Sequence, residues 1–79
     1  MEDSAKRYRR DDALIKLVGQ NVRKYRKLKG LTIATFATMI EMDAKQLSNY
    51  ELGKVDTNIT MIGLIARNLD IEPQVLFIK

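Results

Sequence analysis

Apolar residues recur at intervals of three and four along most of the chain, the spacing that places them on one face of an α-helix. One proline and four glycines interrupt this pattern, and no long stretch alternates in the manner of a β-strand. The pattern therefore predicts an all-α protein. Its first helix begins at Asp11 and Asp12, is about 17 residues long and ends at Gly30. The apolar stripe of this helix consists of Leu14, Ile15, Val18, Val22, Tyr25 and Leu28.

Two short helices follow the first one. Thr32 is the predicted N-cap of helix two and Asp43 that of helix three, because their side-chain oxygens can accept a hydrogen bond from the first turn. Helix three runs from residue 44 to about residue 52 and ends at Gly53, which readily adopts the left-handed conformation of a helix end. The residues predicted to face inward on these helices and their turn are Phe36, Ala37, Ile40, Met42, Leu47 and Tyr50.

The C-terminal third of the chain predicts two more helices. Asn58 is the predicted N-cap of helix four. Glu72 followed by Pro73 is typical of a helix start, because a proline in the first turn loses no hydrogen bond, so residues 74–78 are predicted to form a short fifth helix. The inward residues of helix four are Ile59, Ile62, Ile65, Ala66 and Leu69.

Helices two and three are separated only by Glu41, Met42 and Asp43, which is too short a connection for a long antiparallel hairpin. The two helices must therefore cross steeply. Two short helices crossing in this way form a helix-turn-helix, whose second helix is presented to the major groove of DNA. The residues that helix three turns outward are donors suited to base edges and phosphates, namely Lys45, Gln46, Ser48 and Asn49.

These segments resemble the Cro and phage-repressor type of helix-turn-helix protein, also called the xenobiotic-response-element family. The resemblance covers about residues 18–77 and rests on three stretches at the spacing of the family: VGQNVRKYRKLKGLT, FATMIEMDAKQLSNYELGK and ITMIGLIARNLDIEPQVLF. It implies a compact five-helix bundle of the phage-repressor DNA-binding domain type. It also implies sequence-specific binding of double-stranded DNA by a homodimer on a palindromic operator.

Residue by residue, the resemblance implies base contacts by Ala44, Lys45, Gln46 and Asn49. Lysine suits guanine, whereas glutamine and asparagine can each bridge the N6 and N7 atoms of adenine. A solvated, exposed helix face is the alternative interpretation of these residues. The implied phosphate contacts are Thr32, Ser48, Lys54 and Asn58, of which Thr32 and Asn58 are equally explained as helix caps.

The resemblance also implies a structural pair, Arg26 with Glu51, that links helix one to the end of helix three. The chain departs from the family at three positions. Ile33 replaces a common glutamine, Ala44 replaces an often polar residue, and Glu41 occupies a turn position that is normally glycine. A left-handed backbone at Glu41 is expected to cost about 1 kcal/mol.

The chain has 79 residues, enough for one domain, and contains neither cysteine nor histidine. These absences exclude disulfides, the usual zinc sites, thiol nucleophiles and the commonest general base. The chain also has no paired carboxylates at a spacing that stands out and no glycine-rich phosphate loop, so we expect no enzyme activity, metal site, cofactor or small-molecule ligand. Residues 6–29 hold ten Lys or Arg against two Asp, a net charge of +8 within an overall +4. This excess indicates either a polyanionic partner or a solvated helix face.

The N-terminal segment, residues 1–10, lies outside the resemblance and is predicted to be a flexible arm preceding a domain of residues 11–79. Its four positive residues crowd around Tyr8 and suit either a solubilising tail or a contact with the DNA backbone or minor groove.

Apolar residues beyond the needs of one bundle predict a homodimer interface, with ordinary surface scatter as the alternative. The predicted interface consists of Met61, Leu64, Val75, Phe77 and Ile78, with Leu14 and Leu17 as further candidates.

We therefore expect a stand-alone dimeric transcription regulator. Alternatives are an antitoxin that represses its own operon, and a helical adaptor that binds anionic surfaces. With no apolar stretch long enough for a membrane span, we expect a cytoplasmic, nucleoid-associated protein of bacterial or phage origin.

Overall fold

A computed structural model describes residues 10–79. Within this range the chain forms four α-helices: α1 (Asp12–Leu28), α2 (Ile33–Met39), α3 (Ala44–Glu51) and α4 (Ile59–Asn68). A 3-10 helix, Pro73–Phe77, follows them, and the described residues contain no strand. The all-α prediction is confirmed. Of the predicted arm, only Arg10 belongs to the described part of the chain.

The prediction of five α-helices is wrong, because the C-terminal segment is a 3-10 helix. Its backbone bonds join residues three apart, from Val75 N to Glu72 O at 3.1 Å and from Ile78 N to Val75 O at 3.4 Å. A five-residue segment that begins at a proline, which has no N–H group, has few donors with which to form the four-residue spacing of an α-helix.

Three of the predicted N-caps form the expected hydrogen bonds. Asp11 accepts from the Leu14 N–H at 3.0 Å, Thr32 from the Thr35 N–H at 3.1 Å, and Asn58 from the Met61 N–H at 2.8 Å. Asp43 occupies the N-cap position of α3 but forms no such bond. Because Asp43 is exposed, solvent can hydrate both its carboxylate and the first N–H groups of α3, so the predicted capping bond is dispensable there.

Left-handed backbone occurs at Gly53, as the sequence predicted, and at Glu41, as the resemblance implied. Gly53 has a φ of 72° directly after the end of α3. Glu41 has a φ of 54° in the turn between α2 and α3, so a glutamate here adopts the left-handed conformation that favours glycine. The left-handed backbone at this glutamate costs about 1 kcal/mol of stability, and it allows the two helices to cross.

The core lies where all four α-helices and the 3-10 helix meet. Three apolar residues that the periodicity predicted to face inward are exposed instead: Leu14, Leu28 and Ile59, the last with 83% of its surface accessible. Each lies in the first or last turn of its helix, where the helix extends past its neighbours. The buried apolar residues are Val18, Val22, Phe36, Ala37, Ile40, Leu47, Ile62, Ile65, Ala66, Leu69 and Leu76.

A buried ion pair joins α1 to α3. The Arg26 guanidinium donates from Nε to Glu51 Oε2 at 2.6 Å and from Nη2 to Glu51 Oε1 at 3.0 Å, and from Nη1 to the Leu31 carbonyl at 2.7 Å. This is the pair that the resemblance implied. The same two helices approach backbone to backbone at Gly19, where an added Cβ would lie 2.3 Å from the Tyr50 carbonyl oxygen.

A buried amide attaches the C-terminal segment to α1. Asn21 Nδ2 donates to the carbonyl oxygens of Leu76 at 2.8 Å and Ile78 at 2.9 Å. A single side chain on α1 thus satisfies two carbonyls at the end of the 3-10 helix and holds Leu76 in the core.

Candidate DNA-binding surface

The turn between α2 and α3 gives the motif its geometry. The Met42 N–H donates to the Ala37 carbonyl at 2.8 Å, and the Glu41 N–H donates to the Thr38 carbonyl at 3.2 Å. The left-handed conformation of Glu41 changes the direction of the chain within this turn. Leu47 on α3 is then fully buried with Phe36 in the core, so the inner side of α3 is fixed to α2. The arrangement is a helix-turn-helix in which α3 is the second helix.

The outer side of α3 carries the side chains that the sequence assigned to base contact. Ala44, Lys45 and Gln46 are exposed, and Asn49 is half-buried. Leu52, which follows α3 and is 50% exposed, lies on the same side as Lys45 because seven residues make nearly two helical turns. Leu52 was not predicted from the sequence to lie on this side of α3, although its spacing from Lys45 could have indicated it.

Gln46 has a neighbour that was predicted to lie in the core. Tyr50 is only half-buried, and its hydroxyl oxygen accepts a hydrogen bond from Gln46 Nε2 at 3.5 Å. The two residues lie one helical turn apart. A shallow groove of about 500 Å³ runs beside them, and its lining consists of Asp43, Lys45, Gln46, Asn49, Tyr50, Val55 and Asp56.

The predicted phosphate contacts lie on both sides of α3. Thr32 is exposed at the start of α2, and Lys54 and Asn58 are exposed in the loop between α3 and α4, while Ser48 is half-buried. Thr32 and Asn58 both act as helix caps, which supports the structural role that was their alternative. Ile33 is half-buried and packs against the core, so it does not take over the polar contacts of the glutamine that is common at its position.

The predicted dimer residues differ in exposure. Phe77 is 41% exposed and Ile78 is 59% exposed. Met61, Leu64 and Val75 are half-buried, and the first two pack against the core. An apolar groove of about 490 Å³ adjoins Phe77, and its walls include Leu14, Ile15, Val18, Ile59 and Ile62.

The matched region of the chain establishes its family. Residues 22–76, which include the helix-turn-helix and most of the bundle, match the model of a helix-turn-helix family. The chain belongs to this helix-turn-helix family. The resemblance to Cro and phage repressors is thereby confirmed, and this member of the family is a DNA-binding transcription regulator.

Two solved structures are similar to this family member. The restriction-modification controller protein C.AhdI from Aeromonas hydrophila has 34% identity and a TM-score of 0.77, and the match covers 82% of this chain and 98% of that one. The clp gene regulator ClgR from C. glutamicum has the same fold, with 22% identity and a TM-score of 0.78 over 82% of this chain and 84% of that one. A comparison with curated protein sequences found no significant match.

No α-helix among residues 10–79 combines the length and apolar character needed to cross a membrane.

Proposed function

We propose that the protein is a homodimeric regulator that binds a palindromic operator with α3 in the major groove. The observation that carries the proposal is the division of α3 into two faces. Leu47 and Glu51 are buried on one face, and Lys45, Gln46 and Asn49 project from the other. A helix held rigidly on its inner face can present three polar side chains to base edges at little entropic cost.

The proposed base contacts follow from the chemistry of these side chains. Lys45 donates to guanine O6 and N7, and Gln46 and Asn49 each form two hydrogen bonds with adenine. Ala44 has a side chain short enough for the first turn of α3 to approach the bases closely. We propose that Leu52 adds an apolar contact with a thymine methyl group at the other end of the helix.

The proposed phosphate contacts hold α3 in position in the groove. Lys54 supplies a positive charge directly after α3, and Ser48 supplies a hydroxyl from the helix itself. Asn58 uses its Oδ1 atom as the cap of α4, which leaves its Nδ2 atom to donate to a phosphate. Thr32 contributes a hydroxyl on the opposite side of the motif.

We propose that two copies associate through the C-terminal segment and α4. Phe77 and Ile78 form the centre of the interface, and Met61, Leu64 and Val75 form its edge. The exposure of Phe77 and its position beside the groove near Leu14 and Ile59 support a continuous apolar contact. A two-fold axis at this contact requires two half-sites about 34 Å apart.

Selection of bound sites from random duplex DNA tests this function. We expect a palindrome whose half-sites are separated by about one helical turn. Lys45→Ala, Gln46→Ala and Asn49→Ala should each lose about 1 to 3 kcal/mol of binding free energy and relax preference at one base pair. Gln74→Ala, at an exposed glutamine on the 3-10 helix, is the control and should bind as the wild type does. Unchanged preference in all three α3 variants would contradict the assignment of α3.

A more specific role is favoured by the similarity to C.AhdI, which extends over 98% of that controller protein. We propose that this chain is also a restriction-modification controller protein, and that it acts by binding the promoter of its own operon. A reporter fused to the promoter of its own operon should respond to the chain, with restriction or methyltransferase genes nearby. A neighbouring toxin gene, whose product binds this chain, would instead favour the antitoxin alternative.

A further inference from the structure

We propose that Asp43 is a specificity-determining residue of the helix-turn-helix. Its carboxylate accepts a hydrogen bond from the N4 amino group of a cytosine, at the base pair next to the one that Gln46 reads. This role rests on the function proposed above, because it adds one base to the half-site that α3 recognises. The sequence assigned Asp43 only to the capping of α3.

The Asp43 carboxylate is not used where an N-cap residue normally uses it. Asp11, Thr32 and Asn58 each accept a hydrogen bond from the first turn of their helices. Asp43 has the extended backbone of an N-cap, with a φ of −65° and a ψ of 140°, but its side chain forms no such bond. It also enters no ion pair among residues 10–79. Both carboxylate oxygens are therefore available to a donor on DNA.

The backbone fixes Asp43 beside the residues assigned to base contact. Its carbonyl oxygen accepts the Leu47 N–H at 3.0 Å, and Leu47 is fully buried. The Asp43 side chain lines the same shallow groove as Lys45, Gln46 and Asn49. Three residues of an α-helix rise about 4.5 Å, and successive base pairs are about 3.4 Å apart. Positions 43 and 46 are therefore spaced to meet neighbouring base pairs.

The groove contains a second carboxylate, which is held in a different way. Asp56 lies in the loop between α3 and α4, and its Oδ1 atom accepts the Thr57 N–H at 2.8 Å. Asp43 directly precedes Ala44, whose short side chain leaves the first turn of α3 open to the bases. Of the two carboxylates, the one at Asp43 enters the major groove together with α3.

The chemistry of the major groove selects cytosine for a carboxylate. Guanine presents two acceptors there, thymine presents one, and adenine places an acceptor beside its amino group, whereas cytosine presents only the N4 donor. An ionised carboxylate accepts hydrogen bonds and donates none. Beside guanine or thymine it loses hydration without compensation, and beside cytosine it gains a hydrogen bond in return. Asp43 thus favours cytosine and disfavours the other bases at one position.

The base preference of the full-length chain tests this role. Sites are selected from random duplex DNA, and affinities are then measured for operators substituted at each base pair. We expect a cytosine in each half-site, next to the base pair at which Gln46→Ala relaxes preference. Replacing this cytosine should weaken binding by the wild type about 5- to 150-fold, the usual cost of one mismatched base pair. For Asp43→Ala the same replacement should change affinity by less than about twofold, because the selecting group is absent.

A second variant separates recognition from folding. Asp43→Asn keeps the size of the side chain and an equal preference for the N-cap position. Because an amide both accepts and donates hydrogen bonds, this variant should admit guanine or thymine where the wild type requires cytosine.

Glu72→Ala is the matched control for charge. Glu72 is an exposed carboxylate at the N-cap of the 3-10 helix and, like Asp43, forms no capping bond through its side chain. The change removes the same charge away from α3, so the cytosine preference should remain. A loss of preference equal to that of Asp43→Ala would show that net charge sets the preference, and would overturn the contact by Asp43.

Two other results would overturn it as well. If both Asp43 variants bind every duplex more tightly and keep the wild-type preference at each position, the carboxylate only repels phosphates. If Asp43→Ala melts at a lower temperature and weakens binding to all operators equally, while Asp43→Asn behaves as the wild type does, Asp43 acts only as a helix cap.

The failure of this role is distinguishable from the failure of the proposed function. If the wild-type chain selects a palindrome and the Asp43 variants keep its full base preference, only the cytosine contact fails. If the wild-type chain selects no duplex sequence, the proposed function fails and the cytosine contact fails with it.

Discussion

Replacing Arg26 with alanine should remove the central connection between α1 and α3. The side chains of Arg26 and Glu51 are only 7% and 3% exposed, so the Glu51 carboxylate left behind is sheltered from water. This carboxylate loses both of its hydrogen bonds to the guanidinium. The Leu31 carbonyl loses the hydrogen bond that it accepts from Arg26 Nη1. Breaking a buried pair from one side costs about 3 to 5 kcal/mol, because an uncompensated charge remains. For a domain with a total stability of about 4 to 12 kcal/mol, this is a large fraction.

Urea and thermal unfolding followed by circular dichroism measure this effect. A loss of 3 kcal/mol lowers the melting temperature of a domain of this size by about 12 to 24 °C. The double variant Arg26→Met with Glu51→Leu is the control, because it removes both charges and keeps comparable volume. It should be close to the wild type or more stable. A double variant as unstable as Arg26→Ala would show that lost packing, and not the unpaired carboxylate, causes the loss.

A different result would refute the structural role of Arg26 altogether. If Arg26→Ala melts at the wild-type temperature but binds DNA more weakly, Arg26 is a phosphate ligand. The expected outcome is the reverse: lower stability, and near-normal affinity at a temperature where the variant is folded.

Three further predictions concern helix packing, base recognition and dimerisation. Gly19→Ala should lower the free energy of unfolding in urea by at least about 1 to 3 kcal/mol, because its Cβ would overlap the Tyr50 carbonyl oxygen. Gly63→Ala is the control: its Cβ would meet nothing closer than 3.6 Å, so it should stabilise α4 by about 0.5 to 1 kcal/mol. Equal effects of the two changes would contradict the close approach of α1 and α3. Tyr50→Phe should weaken discrimination at the base pair read by Gln46 by about 0.5 to 1.5 kcal/mol, since the hydroxyl that orients the amide is removed. The test is to measure the affinities for operators substituted at each base pair in turn. If these affinities are the same as for the wild type, Tyr50 has no part in recognition. Phe77→Asp should convert dimers to monomers in sedimentation, and an unchanged species would exclude this interface.

The sequence alone determined the features that depend on neighbouring residues. Thr32 and Asn58 could be identified as caps because each bonds an N–H three positions later. The helix end at Gly53 was predictable from the glycine itself, whereas the left-handed turn at Glu41 was implied only by the resemblance to the family. The three-residue separation of α2 and α3 then required a steep crossing, and with it the helix-turn-helix and its outward polar face.

The tertiary structure decided the features that join distant parts of the chain. Periodicity assigns a residue to a side of a helix but not to a depth in the bundle, so the exposure of Ile59 depended on where α4 meets its neighbours. The hydrogen bonds from Asn21 to the Leu76 and Ile78 carbonyls join residues more than 50 positions apart, so no local sequence pattern predicts them. The sequence assigned Arg10 to a basic arm, whereas in the fold Arg10 donates a hydrogen bond to the Lys54 carbonyl. A polar side chain acquires its role from the partner that folding brings within hydrogen-bonding distance, and that partner is set by the packing of the whole bundle.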